Sequence, residues 1–239
     1  RTATAKHYVR LVTYLFGQTL ANANYNAPLL FDLGRILGEL DRALSDFDHH
    51  AFHREFHWDL AHGRRVINEY IELVTESVLR GQVKDCCAIF NRTLATEQLA
   101  KLPCQVIHGD ANDHNVLVEG ECVVGIIDFG DMIYSYRVAE LAVALAYAVL
   151  EKADPLKTAK VVTSGYLSAC HLNDNEIEAI WPLMLMRLCM SVCLAAHQRK
   201  QKPDNEYLDI SQRAIRNTLP RLLAIDPAVA LHEFRVAES

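Results

Sequence analysis

The sequence lacks any dense run of lysine or arginine. Its 24 basic residues are outnumbered by 30 acidic ones, and the net charge is −6. A nucleic-acid binder needs a positive face to neutralise phosphates, so this balance argues against one. There is also no apolar run of the ~20 residues that span a bilayer. The longest apolar stretches, residues 138–150 and 181–196, carry Glu140 and Arg187 and read as buried helices. No CxxC pair joins the seven cysteines, which are odd in number and scattered. They read as reduced thiols of a cytosolic protein, which makes a cytoplasmic location the expectation. Residues 1–4 lead straight into a strand-like segment without a secretory leader pattern. Internal repeats and low-complexity linkers are absent as well. What the chain does have is apolar content: 239 residues, 51% hydrophobic, enough for a core and too much for wholesale disorder. That length fits one large domain or two small ones.

Residues 8–15 are β-branched and aromatic and end at Gly17, which predicts a short strand. Pro28 can open a helix, continued by Leu29, Leu30, Leu33, Ile36, Leu37, Leu40 and Leu44 at helical spacing. Residues 46–63 read as a loop rich in histidine and aromatics, and residues 64–79 and 85–99 as helices. Short β runs follow at 104–107, 116–119 and 122–127, with Gly120 marking a hairpin. After Gly130 the pattern is helical to the end, over 138–150, 155–170, 174–199, 205–218 and 227–234. Asp174 and Asn205 fit as N-caps. The expected fold class is α+β, mostly α, with a small β-hairpin region in the middle.

The chemistry concentrates in residues 106–131, VIHGDANDHNVLVEGECVVGIIDFGD. An apolar strand delivers His108-Gly109-Asp110, and Asn115 comes five residues after Asp110. A hairpin then leads to Asp128-Phe129-Gly130. Carboxylates at the tips of apolar strands are costly unless they have a partner or a task. Two carboxylates and an amide converging there suit Mg²⁺, which prefers hard oxygen ligands and borrows others from phosphate. An Asp that takes the attacking hydroxyl's proton, an Asn and a second Asp for metal form the core of a phosphoryl-transfer site.

H-G-D-x-x-x-x-N followed by I-D-F-G-D resembles the aminoglycoside phosphotransferase / choline kinase family, which has a protein-kinase-like fold. IIDFGDM with the following ELAVALAYAVL helix is most similar to its hydroxylysine kinase-like members. The resemblance implies Asp110 as the catalytic base, His108 as the structural histidine of the catalytic loop, and Asn115 and Asp128 as Mg²⁺ ligands. Glu140-Leu141-Ala142 takes the place of the family's Asp-Leu-Ala helix start. Residues 9–15 match the last strand before the hinge, so that Thr13, Tyr14 and Leu15 would hold the nucleotide. By the same resemblance the chain corresponds to the C-terminal (large) lobe: 1–17 the hinge strand and lobe start, 18–239 the helical lobe with its catalytic loop at 106–131. The family's small lobe, with its phosphate-covering loop and clamping Lys, has no counterpart here. Lys6 lies too near the hinge, and Lys84 and Lys101 lie in the helical region. Weak turnover of ATP by this chain alone is therefore expected, as is a dimer through the face the small lobe would cover, or a fused or upstream small lobe.

The implied reaction is transfer of the γ-phosphoryl group of ATP or GTP to a hydroxyl of a small cationic acceptor, hydroxylysine first. Aminoglycoside, choline, ethanolamine, homoserine and methylthioribose kinases share the loop and remain alternatives, as does a non-catalytic interaction module. Candidate acceptor contacts are Asp131, Asp113, Trp58, Asp59, Tyr136 and Trp181. Asp59 reads first as an N-cap of the helix that follows, and Trp181, like Tyr147, reads first as core. Phe129 should pack on the hydrophobic floor, and Gly130 should allow the sharp turn. His49, His53 and His57 recur every four residues, but without a Cys or an HExxH motif they read as a solvated or substrate-side loop.

Overall fold

The computed structural model describes residues 9, 11–202 and 211–237. Helix α1 (Ala27–Leu44) begins at Asn26, whose side chain accepts a hydrogen bond from Leu29 N, with Pro28 in its first turn. Leu29, Leu30, Leu33 and Leu37 are buried. The helix lies against α6 (Pro155–Ala169) at backbone contact. Gly34 faces the Val162 carbonyl and Gly165 the Phe31 carbonyl, so closely that a Cβ at either position would overlap the opposing backbone.

The stretch expected as one helix over 64–79 is broken. Helix α2 (Gly63–Tyr70) passes into a 3-10 turn, Val74 and Glu76 are extended, and α3 (Ser77–Thr93) starts afresh. Val74 stays buried through the break, so the apolar stripe continues although the helix does not. The helix expected over 85–99 is corrected too: α3 ends at Thr93, residues 94 and 95 leave the helical conformation, and a separate short α4 (Thr96–Leu99) follows.

Strand β1 (Gln18–Thr19) pairs with β3 (Val116–Glu119), which pairs with β4 (Cys122–Ile126); all pairings are antiparallel. Gly120 turns the β3–β4 hairpin with φ 61°. Strand β2 (Cys104–Ile107) pairs with β5 (Ile133–Tyr136), Val106 opposite Tyr134. β5 corrects the expectation of helix throughout the chain after Gly130. The expected strand over 8–15 is also corrected: residues 9 and 11–15 carry no ladder, and Val9, Leu11, Val12 and Tyr14 are exposed. Residues 8 and 10 lie outside the described residues.

Helices α5 (Val138–Ala148), α7 (Asp174–Gln201), α8 (Gln212–Leu223) and α9 (Pro227–Ala237) complete the helical side. The N-cap of α7 is Asn173 rather than Asp174, closing a capping box with Glu176. Asn205, expected to cap the following helix, lies outside the described residues. α7 is long and apolar enough to cross a membrane, but here its apolar window is buried as the central core helix. Buried Glu176 ties it to Arg137 at 2.6 Å.

Candidate active site

The loop that carries His108, Asp110 and Asn115 leaves β2 at Ile107. Gly109 has φ 74°, a left-handed turn that favours glycine. His108 is fully buried, its Nε2 3.0 Å from the Ile127 carbonyl and its Nδ1 3.3 Å from Asp110 N–H. A ring that donates at Nε2 and accepts at Nδ1 is the neutral tautomer. It ties the loop after β2 to the loop after β4. Glu140, at the start of α5, is also buried, and its Oε2 accepts from Gly109 N at 2.8 Å. Burial pushes its carboxyl up; hydrogen bonding from the Gly109 and His108 backbone N–H groups opposes this. The Glu in place of the expected Asp therefore still makes a specific contact.

Asp110 is held on both oxygens. Oδ2 accepts from Asn112 Nδ2 at 3.1 Å and Asn115 Nδ2 at 2.9 Å. Oδ1 accepts from Arg187 Nη2 at 2.7 Å. Arg187 projects from α7 with its side chain only 2% exposed. Its guanidinium stacks 4.4 Å from the Trp58 ring centroid and donates to the Tyr147 hydroxyl and the Trp58 carbonyl, each at 3.3 Å. A buried guanidinium is tolerated only with partners of this kind.

Asp128 follows β4 with φ 62°. The left-handed residue is thus Asp128 itself, not Gly130, and the turn expected of the glycine is made one position before Phe129. Phe129 packs edge-on to His108 at 4.8 Å and is otherwise exposed, rather than buried in the floor. Ile127 N donates to the Asn115 carbonyl at 2.9 Å, which brings Asn115 alongside the 128 turn. Asn115 Oδ1 and Asp128 Oδ2 accept no hydrogen bond among the described residues, so two hard oxygens are available to a divalent cation. The loop over 46–62 braces this turn: Arg54 Nη2 donates to the Gly130 and Met132 carbonyls at 3.0 and 3.2 Å. His53 stacks on Tyr134 at 4.3 Å. The segment is not a continuous helix, so the four-residue spacing of His49, His53 and His57 does not align them.

Asp110, Asp113, Asp128, Asp131, Trp58 and Arg187 line one cleft of about 620 Å³, together with Tyr25, Tyr147 and Lys152. Burial pushes the Asp131 carboxyl up, and the charges of Asp110 and Asp128 add to the effect. Asp113 is likewise pushed up by burial. Three expected acceptor contacts are not brought there. Trp181 is buried in the core against Phe234 of α9. Tyr136 sits on β5 opposite Cys104. Asp59 is buried, caps a 3-10 turn through Ala61 N at 2.9 Å, and accepts from Ser135 Oγ at 2.5 Å. Thr13, Tyr14 and Leu15 do not line the cleft; Leu15 lies over β4, where a Cβ on Gly125 would come within 2.6 Å of its Cδ1. Sequence reasoning missed Arg187, Arg54 and Lys152 as site residues. Only Arg187 carried a signal, as a lone charge in an apolar helix.

A profile of the phosphotransferase enzyme family matches residues 2–168. The chain belongs to this family. It is 33% identical over 221 residues to hydroxylysine kinase of Mus musculus, covering 87% of this chain and 58% of that protein. With hydroxylysine kinase of Danio rerio it shares 33% identity over 233 residues, covering 92% of this chain and 64% of the relative. The chain thus spans about three fifths of the length of these curated relatives. Among solved structures, its fold is similar to amicoumacin kinase in complex with AMP-PNP, Ca²⁺ and Ami (TM-score 0.59, 14% identity, 89% of this chain and 65% of that one). A microcompartment-associated aminopropanol kinase matches at TM-score 0.59 and 15% identity, over 89% of this chain and 64% of that one.

Proposed function

We propose that this chain is the catalytic lobe of a kinase that transfers the γ-phosphoryl group of ATP or GTP to a hydroxyl of a small cationic acceptor, an amino alcohol or a hydroxy amino acid such as hydroxylysine. The observation that carries the reading is Asp110, an oriented carboxylate in a cleft shared with Asp128 and Asp131. Two amide donors fill Oδ2, whereas Oδ1 takes only Arg187. A carboxylate oxygen has two lone-pair sites. Oδ1 therefore keeps one for the acceptor hydroxyl, and the proton passes to that atom as the oxygen attacks phosphorus. Asn115 and Asp128 would hold Mg²⁺, which when bound neutralises charge on the donor phosphates. Arg187 fixes the Asp110 rotamer, and Glu140 and His108 fix the backbone on either side. The acidic cleft favours a cationic acceptor. Thr13, Tyr14 and Leu15 are assigned to the nucleotide base.

The test is a coupled nucleotide assay on the complete protein with 5-hydroxylysine, ethanolamine, choline, homoserine, methylthioribose and an aminoglycoside. Acceptor-dependent release of ADP or GDP is expected, and Asp110→Asn should abolish it. Retained turnover in Asp110→Asn would overturn the assignment of the base.

A further inference from the structure

The proposed reaction leaves Lys152 without a task. This residue lines the cleft from the turn between α5 and α6. Its Nζ lies 3.3 Å from the centroid of the Tyr25 ring, and the side chain is half-buried. Asp113 and Glu151 are close enough to act on its charge, but among the described residues the ammonium makes no ion pair and no hydrogen bond. Burial pulls its pKa down, so the fold works against the charge it keeps there. A ring face attracts an ammonium without satisfying its N–H donors.

The backbone that carries Lys152 is forced into place. Glu151 has φ 56°, a left-handed conformation costly for a residue with a Cβ. Helix α8 holds it there: Glu151 N donates to Thr218 Oγ1 at 2.9 Å, and Asn217 Nδ2 to Glu151 Oε1 at 3.0 Å. Arg221 donates to the Lys152 and Ala153 carbonyls at 2.8 and 2.6 Å. Strain maintained by neighbouring side chains clusters at functional sites, and here it sets the position of one open cation in an acidic cleft.

We propose that Lys152 is a specificity-determining residue that binds a carboxylate on the acceptor, so that the cleft takes a hydroxy amino acid and disfavours the corresponding amino alcohol. This rests on the kinase reading and narrows it. A purely cationic acceptor meets repulsion from Lys152, whereas a zwitterion gains a charge-assisted contact there and leaves its amine to the aspartates. The donor phosphates are the other possible source of an anion. The cleft walls at Lys152 come from Tyr25, α8 and the α5–α6 turn, and titrating the nucleotide separately distinguishes the two sources.

The test is calorimetric binding of 5-hydroxylysine, its carboxamide, and 1,5-diaminopentan-2-ol to the complete protein, with Mg²⁺–AMP-PNP titrated separately. Wild type should bind the carboxylate ligand about tenfold more tightly than the amide. Lys152→Gln should bring that ratio to about one, Lys152→Arg should restore it, and nucleotide affinity should not change in either. A wild-type ratio near one, a ratio unchanged in Lys152→Gln, or no binding of any acceptor overturns the proposal. Loss of nucleotide affinity in Lys152→Gln also overturns it and assigns the residue to the donor. Phosphoryl transfer is measured in parallel to separate the two readings. Equal transfer to hydroxylysine and its decarboxylated analogue keeps the kinase and refutes the carboxylate site. Selective carboxylate binding without transfer does the reverse.

Discussion

Arg187 and Asp110 should be energetically coupled even without substrate. Arg187→Met removes the 2.7 Å pair, the contacts to Tyr147 and Trp58, and the stack on the Trp58 ring. Removing one member of a buried pair costs about 3–5 kcal/mol, because the other charge is left uncompensated. Asp110 is the less buried partner, with its side chain 19% exposed, and it keeps Asn112 and Asn115. The loss on Arg187→Met therefore belongs at the low end, about 3 kcal/mol. In a domain of this size that lowers Tm by roughly 6–12 °C. Asp110→Asn keeps the shape and strands the guanidinium, which is almost wholly buried, so its cost should be at least as large. In the double variant neither charge is stranded, and its loss should fall short of the sum of the single losses by about 2 kcal/mol. Thermal and urea unfolding of the four proteins measures this directly. Additivity within about 0.5 kcal/mol would refute the claim that Arg187 is there for Asp110.

Three further outcomes follow from packing and charge. Gly165→Ala, and independently Gly34→Ala, should destabilise the chain by about 1–3 kcal/mol in urea unfolding, because the Cβ meets opposing backbone that a rotamer change cannot move; a variant as stable as wild type would show that α1 and α6 do not approach at these glycines. Burial lifts the Asp41 carboxyl well above its usual range, and the charge of Glu140 adds to this. Such a group holds its proton more tightly in the folded chain, so its contribution is complete at low pH and declines as pH rises from about 4, where an unfolded-chain carboxyl titrates. The Tm of wild type relative to Asp41→Asn should accordingly fall between about pH 4 and pH 7, and a difference independent of pH would contradict this. Arg54→Ala should speed amide exchange over residues 130–132, whose carbonyls at Gly130 and Met132 it holds, and barely change Tm because the contact is near the surface; unchanged exchange there would remove Arg54 as a brace of the Asp128 turn.

Local signals were legible where they decide the outcome. Asn26 and Pro28 start α1, Gly120 turns the hairpin, and the spacing from Asp110 to Asn115 places both in one loop. Where a distant partner decides, the signal fails. β5 is four residues long and exists because β2 lies beside it. The 8–15 segment has strand composition, but its described residues have no partner strand, and propensity alone does not make a strand. Val74 illustrates a third failure: it is buried in the break between α2 and α3, so periodicity runs unaltered across a turn that only the backbone reveals. Trp181 was ambiguous for a related reason, since an apolar helix surrounded by other helices gives an aromatic residue no face that distinguishes core from cleft.

The site was legible to a greater depth than its motif. Glu140 and Arg187 stand in the sequence as the charges that interrupt two apolar helices. Burial of an unpaired charge is too costly to persist, so each required a partner of opposite charge or a donor or acceptor reached across the fold. In the structure both partners belong to the loop after β2: the Gly109 amide for Glu140 and the Asp110 carboxylate for Arg187. His108 supplies the third tie, to Ile127. Three polar groups from α5, α7 and the turn after β2 thus hold two consecutive residues, Gly109 and Asp110, from separate directions. A loop fixed this way has little freedom to reorganise, which is what the base proposed at Asp110 requires. The same rule read forward from the sequence singles out Arg187, and Lys152 is its counterpart: a half-buried cation that makes no ion pair or hydrogen bond among the described residues, which is why the proposal assigns its partner to the ligand.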